Sequence, residues 1–342
     1  MLKWLSGLVL GGCCLVAQAD MDFQTFRKLT HSLLKIEAAN PDGSISMGTG
    51  VIVGKGMVVT NCHVTQRAKT IELVKGSLRQ SVQSQYSDID HDLCLLYSPH
   101  VEDEQVATLS AEEPRLGQAV YAIGFIFGIA PRLNAGEISA LYRYDGGTVI
   151  QSTTPFTSGA SGGGLFDERG RLIGIVTFKS RGSVAHHFSM PVSWVVERMK
   201  RFDAQPVAPL IGSTFWQRST LAQPFFLRVA ALEVEQRWAE LVTVARQWAD
   251  AEPRNATAWH SLGKAHHQLR QNDLSLDAYR NAVAIDAGDA AAWYGLGLVH
   301  AGSGNQAELD RVEVTLRRLD GLLADRLHKL AHECINTAVA VC

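Results

Sequence analysis

The chain has 342 residues, 46% of them hydrophobic and 19% charged, which suits folded domains, leaves room for two, and excludes a disordered chain. A formal charge of −2 gives no electrostatic ground for nucleic-acid binding.

Residues 1–19 begin with one lysine, continue as an apolar run and end in Ala17-Gln18-Ala19, the layout of a secretory signal peptide. A rival is "LGGC", Leu10 to Cys13, which resembles a lipoprotein signal that would acylate Cys13. Apolar residues continue past Cys13, which favours cleavage after Ala19. The run is too short to span a bilayer, and no later stretch is long enough. The sequence therefore predicts a periplasmic or secreted protein without a membrane span. Export leaves Cys62, Cys94, Cys334 and Cys342, an even number in an oxidising compartment. The favoured pairing is Cys62–Cys94 with Cys334–Cys342, and free buried thiols are the alternative. No Cys/His spacing suggests zinc, and no metal or cofactor is expected.

Phe23–Thr30 could form a short helix. From about residue 32 to 200, short apolar runs such as "SLLKIEA", "GTGVIVG", "MVVTNCHV", "TIELVKG", "AVYAIGF", "GEISALYR", "TVIQST" and "RLIGIVTF" are separated by Gly, Pro, Asn and Asp. That pattern predicts an all-β sandwich or barrel, with a hairpin at "DERG". Residues 206–222, with Pro206, Pro209 and Gly212, have no sustained period and read as a linker. After residue 222 the period becomes helical. Trp259, Leu262 and Gly263 recur 34 residues on as Trp293, Leu296 and Gly297, the tetratricopeptide spacing, and a degenerate third copy fits upstream. Repeats of this kind over 223–322 would bury their faces on one another, with an amphipathic capping helix and tail at 323–342.

The chemistry concentrates around "TSGASGGGLF". Gly159-Ala-Ser161-Gly-Gly163 fits both G-x-S-x-G and G-x-S-G-G. The first, a nucleophile elbow, needs a strand before the serine, a helix after it, and partners downstream. Here a glycine run and a hairpin follow, so partners are sought upstream. His63 follows a strand pair joined by Gly54-Lys-Gly56. In "SDIDHDLCLL", Asp88, Asp90 and Asp92 alternate and would share one face of an extended segment. The spacing does not fit a calcium loop, since Leu93 stands where glycine is required and Pro99 where the closing glutamate would be. Asp92 precedes the apolar "LCLL" and would be carried inside, where a carboxylate needs a partner. Asp90 is the alternative acid.

On "GTG", "VVTNCHV", "DLCLL", "AIGFIFGIAPRLNAGEISAL", "SGASGGGLFDERGRLIGI" and "FSMPVSW", residues 32–200 resemble trypsin-fold serine proteases of the HtrA-type branch. The resemblance implies two six-stranded Greek-key β-barrels over residues 20–205, followed here by the helical repeats where that branch usually carries PDZ domains. It implies a triad of His63, Asp92 and Ser161, with the amides of Gly159 and Ser161 as oxyanion hole. Pro155, Phe156, Thr177, Phe178, Lys179 and His187 align with the primary substrate pocket. That pocket has no carboxylate for a basic residue, so a small or medium apolar residue is expected, and the His186-His187 pair raises an acidic one as alternative. Ala160 departs from the aspartate or asparagine usual before the nucleophile. A Cys62–Cys94 bridge would brace His63 against Asp92. The function expected is an exported serine endopeptidase acting on polypeptides, its helical domain binding substrate, a partner or a second copy. The alternative is a weakly active binding or chaperone-like scaffold.

Overall fold

The apolar period of two persists to residue 191 and then yields to a helical one. The computed structural model describes residues 21–180 and 186–337, the last six by backbone alone. The expected signal peptide, Cys13 and the Cys334–Cys342 pair therefore lie outside the described side chains.

Helix α1 (Phe23–Thr30) is capped by Asp22, whose carboxylate accepts from the amides of Gln24 (2.8 Å) and Thr25 (3.0 Å). Then come β1 (Leu33–Ala39), β2 (Ile45–Gly54), β3 (Met57–Thr60), the one-turn helix α2 (Cys62–Thr65), β4 (Thr70–Lys75), β5 (Leu78–Ser81), β6 (Ser84–Asp88) and β7 (Leu93–Tyr97). The second group is β8 (Ala119–Ile126), β9 (Ala130–Tyr144), β10 (Gly147–Ser152), β11 (Gly164–Asp167), β12 (Leu172–Lys179) and β13 (His187–Pro191). Helix α3 (Val192–Lys200) and the short β14 (Gln205–Pro206) complete this half.

The second group closes into a barrel in the order β10-β13-β12-β11-β8-β9. The first group does not form the six-stranded barrel expected from the sequence. It is an eight-stranded sheet, β14-β6-β7-β3-β2-β1-β4-β5. Two local features account for this. The Val82 amide donates to Ile71 while the next amide, Gln83, donates to Tyr97, so β5 and β6 leave for different neighbours. On the other edge, β14 adds to β6 with Gln205 opposite Gln85.

The helical half comprises α4 (Phe225–Val234), α5 (Trp238–Ala251), α6 (Ala256–Gln268), α7 (Asn272–Ile285), α8 (Ala290–Gly302), α9 (Gln306–Leu319) and α10 (Gly321–Thr337). The starts of α5, α7 and α9 keep the 34-residue offset, and so do those of α6 and α8. The equivalent tryptophans make the same contact, Trp259 to the Pro253 carbonyl and Trp293 to the Ala287 carbonyl, each at 3.0 Å. Both are half-buried and structural in use. Helices α4–α6 share an apolar core with the β half, whereas α8–α10 and the second half of α7 pack into a core of their own around Tyr279, Leu296, Leu316 and Leu327. Phe226 packs on Tyr142 and Tyr144, ring centroids 5.3 and 5.2 Å away, and Val229, Leu241 and Trp248 continue the same cluster. Ion pairs Arg143–Asp286 (3.0 Å) and Arg326–Glu137 (2.7 Å) tie α7 and α10 to β9.

Candidate active site

Asp92 occupies the turn before β7, not an extended strand. Its φ is +58° and its amide donates to the Ile89 carbonyl at 3.1 Å. This turn corrects the expectation that three aspartates share one face, because it sends their carboxylates to three different partners. Asp88 meets Arg198 (2.6 Å) and His91 (2.9 Å), Asp90 meets Arg218, and Asp92 turns to His63. His63 sits in α2, just past the end of β3. Its backbone N–H donates to Asp92 Oδ1 at 2.8 Å, and its ring Nδ1 lies 2.6 Å from Asp92 Oδ2. A carboxylate only accepts, so Nδ1 carries the hydrogen and the neutral ring keeps Nε2 free as a base. The Asp92 side chain is fully buried, whereas 23% of the His63 side chain faces solvent, so the ring is reachable and the carboxylate is not. Asn61 Nδ2 holds the Asp92 carbonyl at 2.9 Å, and a Cys62–Cys94 disulfide, Cα–Cα 4.9 Å, links the two segments.

Ser161 comes from the barrel, in the turn between β10 and β11. Thr49 of β2 carries it to the sheet side: the Thr49 amide donates to the Ser161 carbonyl at 2.8 Å, and its hydroxyl donates to the Gly159 carbonyl at 2.7 Å. Gly159 (φ +93°) and Gly162 (φ +83°) hold left-handed backbone in which a Cβ would meet Phe125 O at 2.6 Å and Thr49 O at 2.1 Å respectively. Neither the Gly159 nor the Ser161 amide donates to a protein group among the described residues, which leaves both N–H groups for a ligand oxygen. Ser161 Oγ donates to the Thr177 carbonyl at 3.4 Å, a long bond for a hydroxyl.

Of the expected pocket residues, Phe156 and His187 are buried and packed together, ring centroids 4.7 Å apart. Burial first, then the charges of Lys179 and His186, pushes His187 below the ordinary histidine value. Thr177 is buried, donates to the Ile175 carbonyl at 2.8 Å and accepts from Asn61 at 3.0 Å. Pro155 and Lys179 are exposed. Phe178 lies between Phe188 and Trp216, stacked at 4.8 Å on each. His186 does not share its neighbour's surroundings: its Nδ1 faces the Gln151 amide. Among the described residues no cluster could hold a metal ion.

One group was missed by sequence reasoning. Trp216, inside the stretch read as a linker, donates from Nε1 to Asp92 Oδ2 at 3.1 Å and meets the His63 ring edge-on at 5.6 Å. The available signal was "TFW", an adjacent aromatic pair in a segment otherwise rich in Pro, Gly and Ser, where apolar bulk needs a covering surface.

Residues 48–175, from the approach to Thr49 into β12, match the family described as a trypsin-like peptidase domain. Among particular proteins, the chain is similar to the periplasmic pH-dependent serine endoprotease DegQ of Escherichia coli (strain K12), 30% identical over 178 residues, covering 49% of this chain and 39% of that protein. It is also 30% identical over 173 residues to the peroxisomal leader peptide-processing protease of Homo sapiens, covering 45% of this chain and 31% of that protein. The chain thus matches less than half the length of either relative. In fold it resembles the active form of the Rv3671c protease from M. tuberculosis, with TM-score 0.51, 22% identity, and coverage of 54% of this chain and 87% of that one.

Proposed function

We propose that this chain is an exported serine endopeptidase in which His63, Asp92 and Ser161 act as base, orienting acid and nucleophile. The observation that carries the reading is the two-point grip of Asp92 on His63, at the ring Nδ1 (2.6 Å) and the backbone amide (2.8 Å). Ser161 Oγ attacks the scissile carbonyl carbon while His63 Nε2 takes the hydroxyl proton. The amides of Gly159 and Ser161 receive the oxyanion, where one such donor is worth about 3–4 kcal/mol. Collapse of the tetrahedral species breaks the C–N bond, and the imidazolium gives its proton to the departing amine. Water then cleaves the acyl ester with His63 again as base.

The buried Phe156–His187 pair, with no carboxylate beside it, suits a small or medium apolar side chain before the cleaved bond. Export is supported by the N-terminal pattern and by the Cys62–Cys94 disulfide, a feature of oxidising compartments. The helical half is proposed as a tetratricopeptide-like array that binds substrate, a partner or a second copy, supported by its recurring helix spacing. A second reading, a protease fold serving as a weakly active scaffold, is favoured by one observation, the Ser161 hydroxyl resting on the Thr177 carbonyl.

Labelling by a serine-reactive fluorophosphonate, with cleavage of a casein substrate, separates the two. The wild type is expected to be labelled and to cleave, and Ser161→Ala to lose both. A wild type that is neither labelled nor active sinks the peptidase reading and leaves the scaffold.

A further inference from the structure

Residues 205–223 are fastened along the sheet side of the cleft at successive points. Gln205 pairs with Gln85 in the sheet, and the Gln85 side chain donates to the Ala208 carbonyl at 2.8 Å. The Leu210 amide donates to Gln66 O at 2.7 Å, and Gln66 Nε2 returns a bond to Gly212 O at 2.8 Å. The Phe215 amide donates to the Asp90 carbonyl at 3.0 Å, and Arg218 pairs with the Asp90 carboxylate. These anchors follow the segments that carry His63 and Asp92, and they set Trp216 directly over the pair.

We propose that Trp216 is a positioning residue for the catalytic pair: its indole N–H fixes the Asp92 carboxylate that orients His63. The inference rests on the triad reading given above. Asp92 Oδ2 accepts from His63 Nδ1 and from Trp216 Nε1, at 2.6 and 3.1 Å. A buried carboxylate has acceptor sites for both, and each donor narrows the rotation left to it. Thr177, a buried hydroxyl on the barrel side that accepts from Asn61, donates its hydrogen to Ile175 O, so it is not the donor that fixes the acid. Stacking on Phe178, with planes 13° apart, sets the indole plane and aims its N–H.

The same residue joins the acid to the helical half. Gln223 Nε2 donates to the carbonyls of Trp216 and Arg218, at 3.0 and 3.1 Å, just before α4 begins. Phe226 of α4 packs on Phe215, ring centroids 5.8 Å apart. A shift of α4 thus has a short, contiguous route to the carboxylate.

The test removes the N–H and keeps the shape. Benzothienylalanine at position 216 replaces the indole N–H with sulfur, and Trp216→Phe keeps the ring stack but shortens it. Two readouts are made on the full chain: kcat and KM on a peptide substrate, and the downfield proton resonance of the His63 Nδ1–H. With the isostere, kcat is expected to fall about tenfold or more, with KM within about twofold, because a bond to an ionised group is lost while the cleft surface stays. The resonance is expected to move in both variants. A resonance unmoved in the isostere overturns the proposal, whether or not the chain cleaves peptide. An unchanged kcat in an active isostere overturns it equally. If the wild type is unlabelled and inactive, the peptidase reading fails, while the resonance still decides whether Trp216 fixes Asp92.

Discussion

On the sheet side, His63 and Asp92 are held mainly by side chains, a disulfide, the Asn61 amide and the Trp216 indole, added to the backbone bonds of one turn. On the barrel side, Ser161 is held mainly by backbone, between two left-handed glycines and the Thr49 bridge, of which one bond is the Thr49 hydroxyl. Side-chain fastenings can be cut one at a time, and each cut has a graded cost. A backbone turn with no room for a Cβ gives way as a whole. The comparison teaches that the His63–Asp92 pair should tolerate single losses that the Ser161 loop does not.

The sharpest way to break that contrast is Gly162→Ala. Its Cβ would stand 2.1 Å from Thr49 O and 2.3 Å from Thr60 Oγ1, with φ already at +83°, so backbone must move. Fluorophosphonate labelling is expected to slow at least about a hundredfold, the scale of a lost oxyanion donor, while mass mapping still finds Cys62 bonded to Cys94. Labelling at the wild-type rate would show that the loop is slack. Next comes Cys62→Ser with Cys94→Ser. The bridge spans a sequence separation of 32, so its loss is expected to lower stability by about 3–4 kcal/mol in urea unfolding. The folded double variant should still be labelled, since the hydrogen bonds between His63 and Asp92 do not involve sulfur. If labelling is lost along with the bridge, the sheet side is as brittle as the barrel side and the contrast fails.

The parts of this arrangement legible in the sequence are those made by local pattern. Alternating apolar runs gave the strand segments, Asp22 before Phe23 caps a helix where one was expected, and the 34-residue spacing matches the helix starts. The order of His63, Asp92 and Ser161 pointed to a histidine and an aspartate that do meet, Nδ1 to Oδ2 at 2.6 Å, while the Ser161 hydroxyl is paired with the Thr177 carbonyl. What local pattern could not convey was where a chain goes without a period. Residues 205–223 look like a connector, yet they add a strand to an open sheet and deliver Trp216 to a buried carboxylate. The alternation of Asp88, Asp90 and Asp92 suggested one face, because nothing in the spacing shows that the Asp92 backbone turns left-handed. Phe178 aligned with a pocket edge, and its stack on Trp216, unlike that on its strand neighbour Phe188, depends on that same distant segment.

The smallest expected effect, and the one that separates the two sides by pH, lies in two titrating groups. On the barrel side, burial first and then the charges of Lys179 and His186 hold His187 below its ordinary value of 6.5. The unfolded chain takes up that proton more readily than the folded one. His187 therefore contributes stability that is complete above about pH 6.5 and is lost as pH falls through the lowered folded value. At the seam between sheet and barrel, burial alone would push Asp88 up. Hydrogen bonds and charge from His91 and Arg198 outweigh it and keep the carboxyl below its ordinary 3.8. Its contribution is complete above that value and is lost only as pH falls through the lower folded one. Thermal midpoints measured against pH should thus decline in two windows, mild acid for the barrel and strong acid for the seam. His187→Asn should make the first decline shallower and leave the second, and Asp88→Asn should do the reverse. Each effect is partial, because burial also lowers His186, His260, His267 and His300, and other paired carboxylates are lowered like Asp88. If His187→Asn follows the wild-type curve throughout, the mild-acid loss does not come from the buried Phe156–His187 pair. The two sides would then share one acid response.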